Sequence, residues 1–242
     1  MNIPYERPLK TGLVATLRGT APDAYREDGT PRRRILLRAD IDALPVTEQT
    51  GEEFASVNEG CMHACGHDAH TTCLLGAAKV LSAHRADFGG EVRFLFQPAE
   101  EIFQGSPDMI ANGLLENPSV DAAVMFHVLG GMPIPAGVVL VPACGGITMA
   151  SCEQYHITVH GKGGHGSMPN ACIDPITAAA HIHIALQEIN SRELDPAGFG
   201  VFTTGRSRQA RLPTSSRILL ICGAPSAPWT RSRRSVPLFI SA

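Results

Sequence analysis

The segment 62–70, which reads MHACGHDAH, holds the densest group of potential metal ligands in the chain. Three histidines, one cysteine and one aspartate fall within eight residues there. Thiolate and imidazole are the ligands that zinc and similar borderline metals prefer. An isolated Cys-x-His pair is more often structural than ligating, so Cys65 and His67 become metal-ligand candidates only if other parts of the chain supply partners.

The paired acids Glu100 and Glu101 come shortly after segment 91–96, an apolar run that is predicted to be a strand. Adjacent side chains on extended backbone point to opposite sides, so one carboxylate can bind a metal while the other faces a water molecule. Two neighbouring negative charges are costly unless a cation or a proton offsets them. The alternative is a solvated acidic turn, but the carboxyl end of a strand is where α/β folds place their sites.

Two more polar side chains follow predicted strands. His127 comes directly after segment 121–126, and Asp40 follows segment 35–38. A lone histidine is often a buried structural residue, whereas Asp40 is placed to orient a ligand histidine from behind the metal shell. Packing alone does not readily explain ligand-type side chains at four strand ends, and we therefore predict a metal site.

The elements that must position these residues alternate between strands and helices along the chain, which predicts an α/β sheet with helices packed on its faces. A second unit begins near residue 152 and contains the Gly-rich turn GKGGHGS. The predicted strands are 12–18, 35–38, 91–96, 121–126, 138–141, 153–160 and 199–204, and the predicted helices are 68–84, one that begins at Ser106 and one from Asp174 to about 192.

Composition excludes several classes of function. The chain has 242 residues, 44% of them apolar, and a net charge of −3, which gives no global indication of nucleic-acid or membrane binding. It has no apolar run as long as the roughly 18–20 residues of a membrane span, and its N-terminus lacks the pattern of a signal peptide. Seven scattered cysteines are typical of a reducing compartment, so we expect a cytoplasmic protein.

Five segments together resemble the metal-dependent amidohydrolase family of hippurate hydrolase, N-acyl-L-amino-acid amidohydrolases and the plant auxin-conjugate hydrolases. The resemblance covers about residues 10–205, in order and at compatible spacing. It implies a zinc-peptidase-like catalytic sheet with helices on both faces and part of a smaller α+β lid domain. The segments are LLRADIDALPVTEQTG, MHACGHDAHTTCLLGAAKVL, VRFLFQPAEE, FHVLGGMP and GKGGHGSMPNACIDPITAA.

The resemblance also implies roles for individual residues. Glu100 matches the general base, Asp40 matches the acid behind the metal shell, and His165 matches a lid histidine that helps to hold the substrate. The metal ligands that match are Cys65, His67, Glu101 and His127. We expect two divalent ions (zinc or manganese, with cobalt or nickel as other candidates), an N-acyl amino acid as substrate, and a homodimer formed through the lid. The remaining histidines are interpreted as structural or surface residues: His63, His70, His84, His156, His160, His181 and His183.

The chain departs from the family pattern at both ends. It begins almost at the first shared strand, and after Arg206 the resemblance stops. Residues 206–242 contain seven arginines and no acid, whereas residues 1–205 carry a balance of −10. Our hypothesis is that residues from about 207 onward are an out-of-frame translation. The predicted organisation is therefore a partial catalytic domain (1–146), a partial lid (147–206) and a disordered tail (207–242).

Three interpretations follow. The first is metal-dependent hydrolysis of the amide bond of N-acyl amino acids. The second is a truncated, inactive fragment that still binds a metal ion. The third is a cysteine hydrolase that uses Cys65 with His67, but residues two apart rarely present a nucleophile and its base together, and Glu100 and Glu101 would then have no role.

Overall fold

A computed structural model describes residues 1–22, 24–116, 118–141, 151–195, 200–209, 215–224 and 233–239. The chain divides into two units, Met1–Pro135 and Ala136–Ala242. The first unit contains a five-stranded mixed sheet with the strand order β1-β2-β4-β3-β5. Its strands are β1 (Tyr5–Glu6), β2 (Leu13–Arg18), β3 (Arg34–Asp40), β4 (Glu91–Gln97) and β5 (Ala122–Met125).

Three neighbouring strands of this sheet run parallel. β3 pairs in parallel with β4 on one side and with β5 on the other. The carboxyl ends of parallel neighbours meet at the same edge of a sheet, so the residues that follow these strands are brought together. Asp40 stands at the end of β3, Glu100 and Glu101 follow β4, and His127 follows β5.

Helices cover both faces of the sheet, because successive side chains along a strand point to opposite faces. Helix α1 (His67–Ala83) packs Leu74 and Ala78 against one face, in a cluster with Phe94. Helix α2 (Gly105–Ala111) packs Met109 against the other face, in a cluster with Leu95. The predicted α/β architecture with helices on both faces is confirmed.

The second unit contains the strands β6 (Ser151–His160), β7 (Val201–Gln209), β8 (Ser215–Ala224) and β9 (Arg233–Phe239) and the helix α3 (Pro175–Leu186). Its four strands form one sheet with the order β7-β8-β6-β9. Val159 of β6, Ala179 of α3 and Phe202 of β7 form its buried cluster. Asp174 caps the helix: its side chain accepts a hydrogen bond from the backbone N–H of Ile176, and Pro175 stands at the first helical position.

Three expectations differ from the structure. The predicted strand 138–141 was wrong, because an apolar run forms a strand only where another strand is available to pair with it, and residues 138–141 are not in a strand. The division between units falls after Pro135, not after residue 146, which itself lies outside the described residues. In the predicted disordered tail, β8 and β9 pair with β6, because apolar and β-branched runs such as 218–222 favour strands whatever the arginine content. The out-of-frame hypothesis stays a prediction.

Candidate metal centre

His67 is the first residue of α1 and is almost fully buried at 1% exposure. Its Nδ1 lies 2.9 Å from the backbone oxygen of Asp42, so Nδ1 carries the proton and donates it. The lone pair is therefore on Nε2. This nitrogen lies 3.8 Å from Glu100 Oε2 and 3.7 Å from Glu101 Oε1, so it faces both carboxylates.

Cys65 and His127 meet beside this histidine. The Cys65 Sγ lies 3.3 Å from His127 Nε2. The other ring nitrogen of His127, Nδ1, lies 2.6 Å from the backbone oxygen of Val128 and donates to it, which leaves the lone pair on Nε2. One ligand atom each of Cys65, His67 and His127 lies within 4.8 Å of the others. The structure thus joins two segments 60 residues apart into one group of ligand atoms.

Backbone geometry next to the ligands is set by residues in the left-handed region. Gly66 stands between Cys65 and His67 with φ 78° and caps the start of α1, a conformation that glycine adopts without a steric penalty. Ala99 precedes the paired glutamates with φ 55°, which is uncommon for a residue that has a Cβ. The turn at Ala99 is closed by the N–H of Gln104, which donates to the Ala99 oxygen.

Asp42 supports two of the candidate ligands. Its Oδ2 accepts a hydrogen bond of 3.0 Å from the backbone N–H of Glu101, and its backbone oxygen accepts from His67. Asp42 is not among the site residues predicted from the sequence, although it lies two residues beyond Asp40, at the spacing that returns to the same side of extended backbone.

Asp40 lies differently from what the sequence predicts. Its Oδ2 is 3.7 Å from His67 Nε2, on the side of the free nitrogen, so Asp42 and not Asp40 stands behind His67. Asp40 instead accepts a hydrogen bond of 2.5 Å from His70 Nδ1 at Oδ1 and one of 2.6 Å from Arg38 Nη1 at Oδ2. Which aspartate lies at which nitrogen of His67 could not be predicted from the sequence, because it depends on how α1 packs against β3.

The electrostatic environment shifts three pKa values. Burial, together with the charges of Glu101 and Glu100, raises the pKa of the Cys65 thiol to about 11. Burial and the neighbouring Glu101 also raise the pKa of Glu100. Burial raises the pKa of Asp40, but the hydrogen bond from His70 and the charge of Arg38 outweigh it, and the pKa is lowered. Asp40, Glu100 and Glu101 therefore place several carboxylates close together at this edge of the sheet.

These residues fit a divalent metal ion. Within the part of the chain that the structure describes, His67 Nε2 and Glu101 Oε1 are buried atoms without a hydrogen-bond partner. Buried polar atoms without partners are costly, and a lone pair facing two carboxylates has no proton to share with them. A cation between these atoms satisfies them, and the set of thiolate, imidazole and carboxylate ligands is typical of zinc and similar ions.

His165, the candidate substrate-binding histidine, belongs to the second unit. It follows β6 in the Gly-rich turn, is exposed, and its Nδ1 lies 2.7 Å from Ser167 Oγ. Its proposed role at the active site stays a prediction.

The chain belongs to peptidase family M20/M25/M40, whose family model matches residues 36–228. It is 43% identical over 191 residues to the N-acyl-L-amino acid amidohydrolase of Geobacillus stearothermophilus, and 42% identical over 201 residues to the hippurate hydrolase of Campylobacter jejuni. These matches cover 78% and 83% of this chain but 48% and 49% of the relatives. The chain thus spans about half the length of the curated relatives it matches.

Solved structures agree with this family. The Bacillus subtilis YXEP protein, described as a dinuclear metal binding peptidase from the M20 family, superposes on this chain with a TM-score of 0.60 at 33% identity. The match covers 93% of this chain and 55% of that protein. A putative aminohydrolase from methicillin-resistant Staphylococcus aureus gives a TM-score of 0.58 at 33% identity, and the match covers 93% of this chain and 58% of that one.

Among the described residues, no helix combines the length and apolarity needed to cross a membrane.

Proposed function

We propose that this chain carries the metal centre of an amidohydrolase that cleaves the amide bond of N-acyl amino acids, such as hippurate-like or N-acetyl-amino-acid substrates. The observation that carries the proposal is the unprotonated Nε2 of buried His67, which faces Glu100 and Glu101 at 3.7–3.8 Å. The named activities of the relatives support the substrate class.

The ligands in this proposal are Cys65, His67, Glu101 and His127. The centre binds two divalent ions, zinc or manganese, with cobalt or nickel as further candidates. When bound, such ions supply Lewis-acid chemistry: they polarise the amide carbonyl and make an attacking water molecule more acidic. Two ions also agree with the dinuclear description of the Bacillus subtilis protein.

Glu100 acts as the general base in this proposal. Its side chain is 31% exposed, against 23% for Glu101, so it is the more accessible of the paired carboxylates. Its Oε2 accepts the proton of the attacking water and then donates it to the leaving amine. Asp42 holds the backbone of Glu101 and the ring of His67, and so keeps these two ligands in place while the proton moves.

The second unit contributes substrate binding through His165 in the same proposal, and the intact enzyme is a cytoplasmic homodimer. Sedimentation equilibrium of the intact enzyme tests the dimer, and a monomer at all accessible concentrations contradicts this part of the proposal.

The metal requirement is tested by chelation and reconstitution. The purified chain is treated with EDTA, dialysed and assayed for release of glycine from hippurate and of amino acids from N-acetyl-amino acids. We expect cleavage to disappear with the chelator and to return with Mn²⁺ or Zn²⁺. Cleavage that resists chelator but stops with a thiol reagent supports the cysteine-hydrolase alternative. Metal binding without any cleavage supports the inactive-fragment alternative.

A matched pair of variants locates the metal. Cys65→Ser removes a proposed ligand, whereas Cys61→Ser changes an exposed cysteine that lies outside the group of ligand atoms. We expect Cys65→Ser to lower the affinity for Zn²⁺ and Cys61→Ser to leave it unchanged. Equal affinities in the two variants contradict the ligand assignment.

A further inference from the structure

His70 is a buried histidine at the metal centre to which the proposed function gives no role. It is 1% exposed and lies three residues after His67 on α1, so both rings lie on the same face of the helix. Together with Asp40 and His67 it forms a group that could hold a metal by distance alone.

The hydrogen bonds of His70 leave no nitrogen for a metal. Its Nε2 lies 2.9 Å from the backbone nitrogen of Val128, whose N–H donates to it, so Nε2 is unprotonated. The ring proton is therefore on Nδ1, which donates to Asp40 Oδ1 at 2.5 Å. Both nitrogens are occupied by protein groups, and this tautomer is fixed from two sides.

The acceptor of the Nδ1 proton is itself held firmly. Asp40 is 1% exposed, and its second oxygen accepts from Arg38 Nη1 at 2.6 Å. The Nε of Arg38 donates to Gln97 Oε1 at 2.9 Å, which joins β3 to β4. His70 is thus anchored to the centre of the sheet, and it offers a fixed acceptor to the loop after β5.

That loop carries His127. The backbone oxygen of Val128 accepts from His127 Nδ1 at 2.6 Å, and the backbone N–H of Val128 donates to His70. The rings of His70 and His127 also touch edge to face, with centroids 4.6 Å apart and planes at 71°. The position of Val128, and with it the tautomer and direction of the His127 ring, therefore depends on His70.

We propose that His70 is a positioning residue of the metal centre. Through Val128 it fixes the loop of His127 and keeps the lone pair of His127 Nε2 directed at the group that contains Cys65 Sγ. The inference rests on the proposed function, because it takes His127 as a metal ligand. Partners that orient metal ligands are typically worth 10–100-fold in metal affinity.

The test compares His70→Asn, His70→Gln and the control His84→Asn. Asparagine can replace the Nδ1 donor towards Asp40 but is too short to accept from Val128, whereas glutamine reaches the position of the Nε2 acceptor. His84 is an exposed histidine at the far end of α1, paired with Asp87. Four quantities are measured: exchange of the Val128 amide proton by NMR on metal-free protein, Zn²⁺ affinity and stoichiometry by calorimetry, and Tm by thermal denaturation.

In His70→Asn we expect Val128 exchange to become at least about tenfold faster and Zn²⁺ affinity to fall by about 10–100-fold at unchanged stoichiometry. His70→Gln retains more of the affinity, and His84→Asn retains all of it. Loss of one bound Zn²⁺ in His70→Asn makes His70 a ligand and overturns the inference. Wild-type Zn²⁺ affinity in a variant with a lowered Tm makes it merely structural and also overturns it. If the unmodified chain binds no Zn²⁺, it is the proposed function that fails.

Discussion

The Nε2 atom of His67 and the Oε1 atom of Glu101 face each other at 3.7 Å, and neither has a hydrogen-bond partner among the described residues. The two atoms are too far apart for a direct hydrogen bond, and His67 Nε2 carries no proton to share, because Nδ1 of the same ring is the donor to Asp42. Both atoms are electron-pair donors held at a separation that suits a common cation. This relationship makes a metal centre a better explanation of the buried charge than a solvated acidic turn.

The general base is tested by Glu100→Gln. The amide keeps the size of the side chain but cannot take up a proton, so we expect metal binding to remain and hydrolysis to fall by about 10²–10⁴-fold. The measurements are Zn²⁺ or Mn²⁺ binding by calorimetry and the rate of amino-acid release in the reconstituted protein. Retained turnover in Glu100→Gln contradicts the assignment, and Glu116→Gln, on the loop after α2, serves as the control.

The turn between the first two candidate ligands is tested by Gly66→Ala. A Cβ at this position would lie 2.4 Å from Val128 Cγ2, and the φ of 78° disfavours alanine. The left-handed conformation alone costs about 1–2 kcal/mol, which corresponds to a Tm lower by about 2–8 °C. We also expect weaker Zn²⁺ binding, because Cys65, His67 and the loop of Val128 must shift.

The control for that substitution is Gly76→Ala. Gly76 lies in the interior of α1, and apart from its chain neighbours and the adjacent helix backbone an added Cβ would meet nothing within 4 Å, so alanine should stabilise the helix by about 0.5–1 kcal/mol. The measurement is the Tm of both variants by thermal denaturation, and we expect it to fall only in Gly66→Ala. An unchanged Tm in Gly66→Ala would show that the turn tolerates a side chain and that Gly66 is not a constraint on the site.

The elements around the site could be predicted from the sequence because their patterns are local. β2, β4 and α1 begin and end within about two residues of the predicted bounds, since each combines an apolar pattern with a turn or a glycine at its end. Segment 138–141 and the tail show the limit of such reasoning. Whether an apolar run becomes a strand depends on whether another strand is available to pair with it.

At the site, too, some residues could be predicted from the sequence and others could not. The candidate ligands could be predicted because their residue types are unusual at the ends of strands. The roles of Asp42 and His70 could not, because they depend on contacts between residues 25 to 59 positions apart. A histidine three residues after a ligand on a helix is the signal in the sequence that points to His70, but it does not say whether the ring binds a metal or a backbone amide.

The support that the Asp42 side chain gives to Glu101 is tested by Asp42→Ala. This change removes the acceptor of the Glu101 N–H, and we expect Zn²⁺ affinity to fall by about 10–100-fold. Asp42→Asn keeps an acceptor oxygen and should lose less. Asp87→Asn, at an exposed residue in the turn after α1, is the matched control. Equal affinity for Zn²⁺ in Asp42→Ala and Asp87→Asn would show that Glu101 is held by its own turn and not by Asp42.

The state of the Cys65 thiol separates a ligand from a nucleophile. With its pKa raised to about 11, the thiol is protonated at neutral pH in metal-free protein, and only the thiolate is nucleophilic. We therefore expect iodoacetamide to modify Cys65 slowly at pH 7.5 and progressively faster as the pH rises towards 11, as measured by peptide mass spectrometry after EDTA treatment. Exposed Cys61 serves as the internal control for the reagent. Fast alkylation of Cys65 at pH 7.5 would mean that the thiolate is already formed and would favour the cysteine-hydrolase mechanism. Slow alkylation at pH 7.5, with proton release when Zn²⁺ is added, identifies the sulfur as a group that a metal ion must deprotonate.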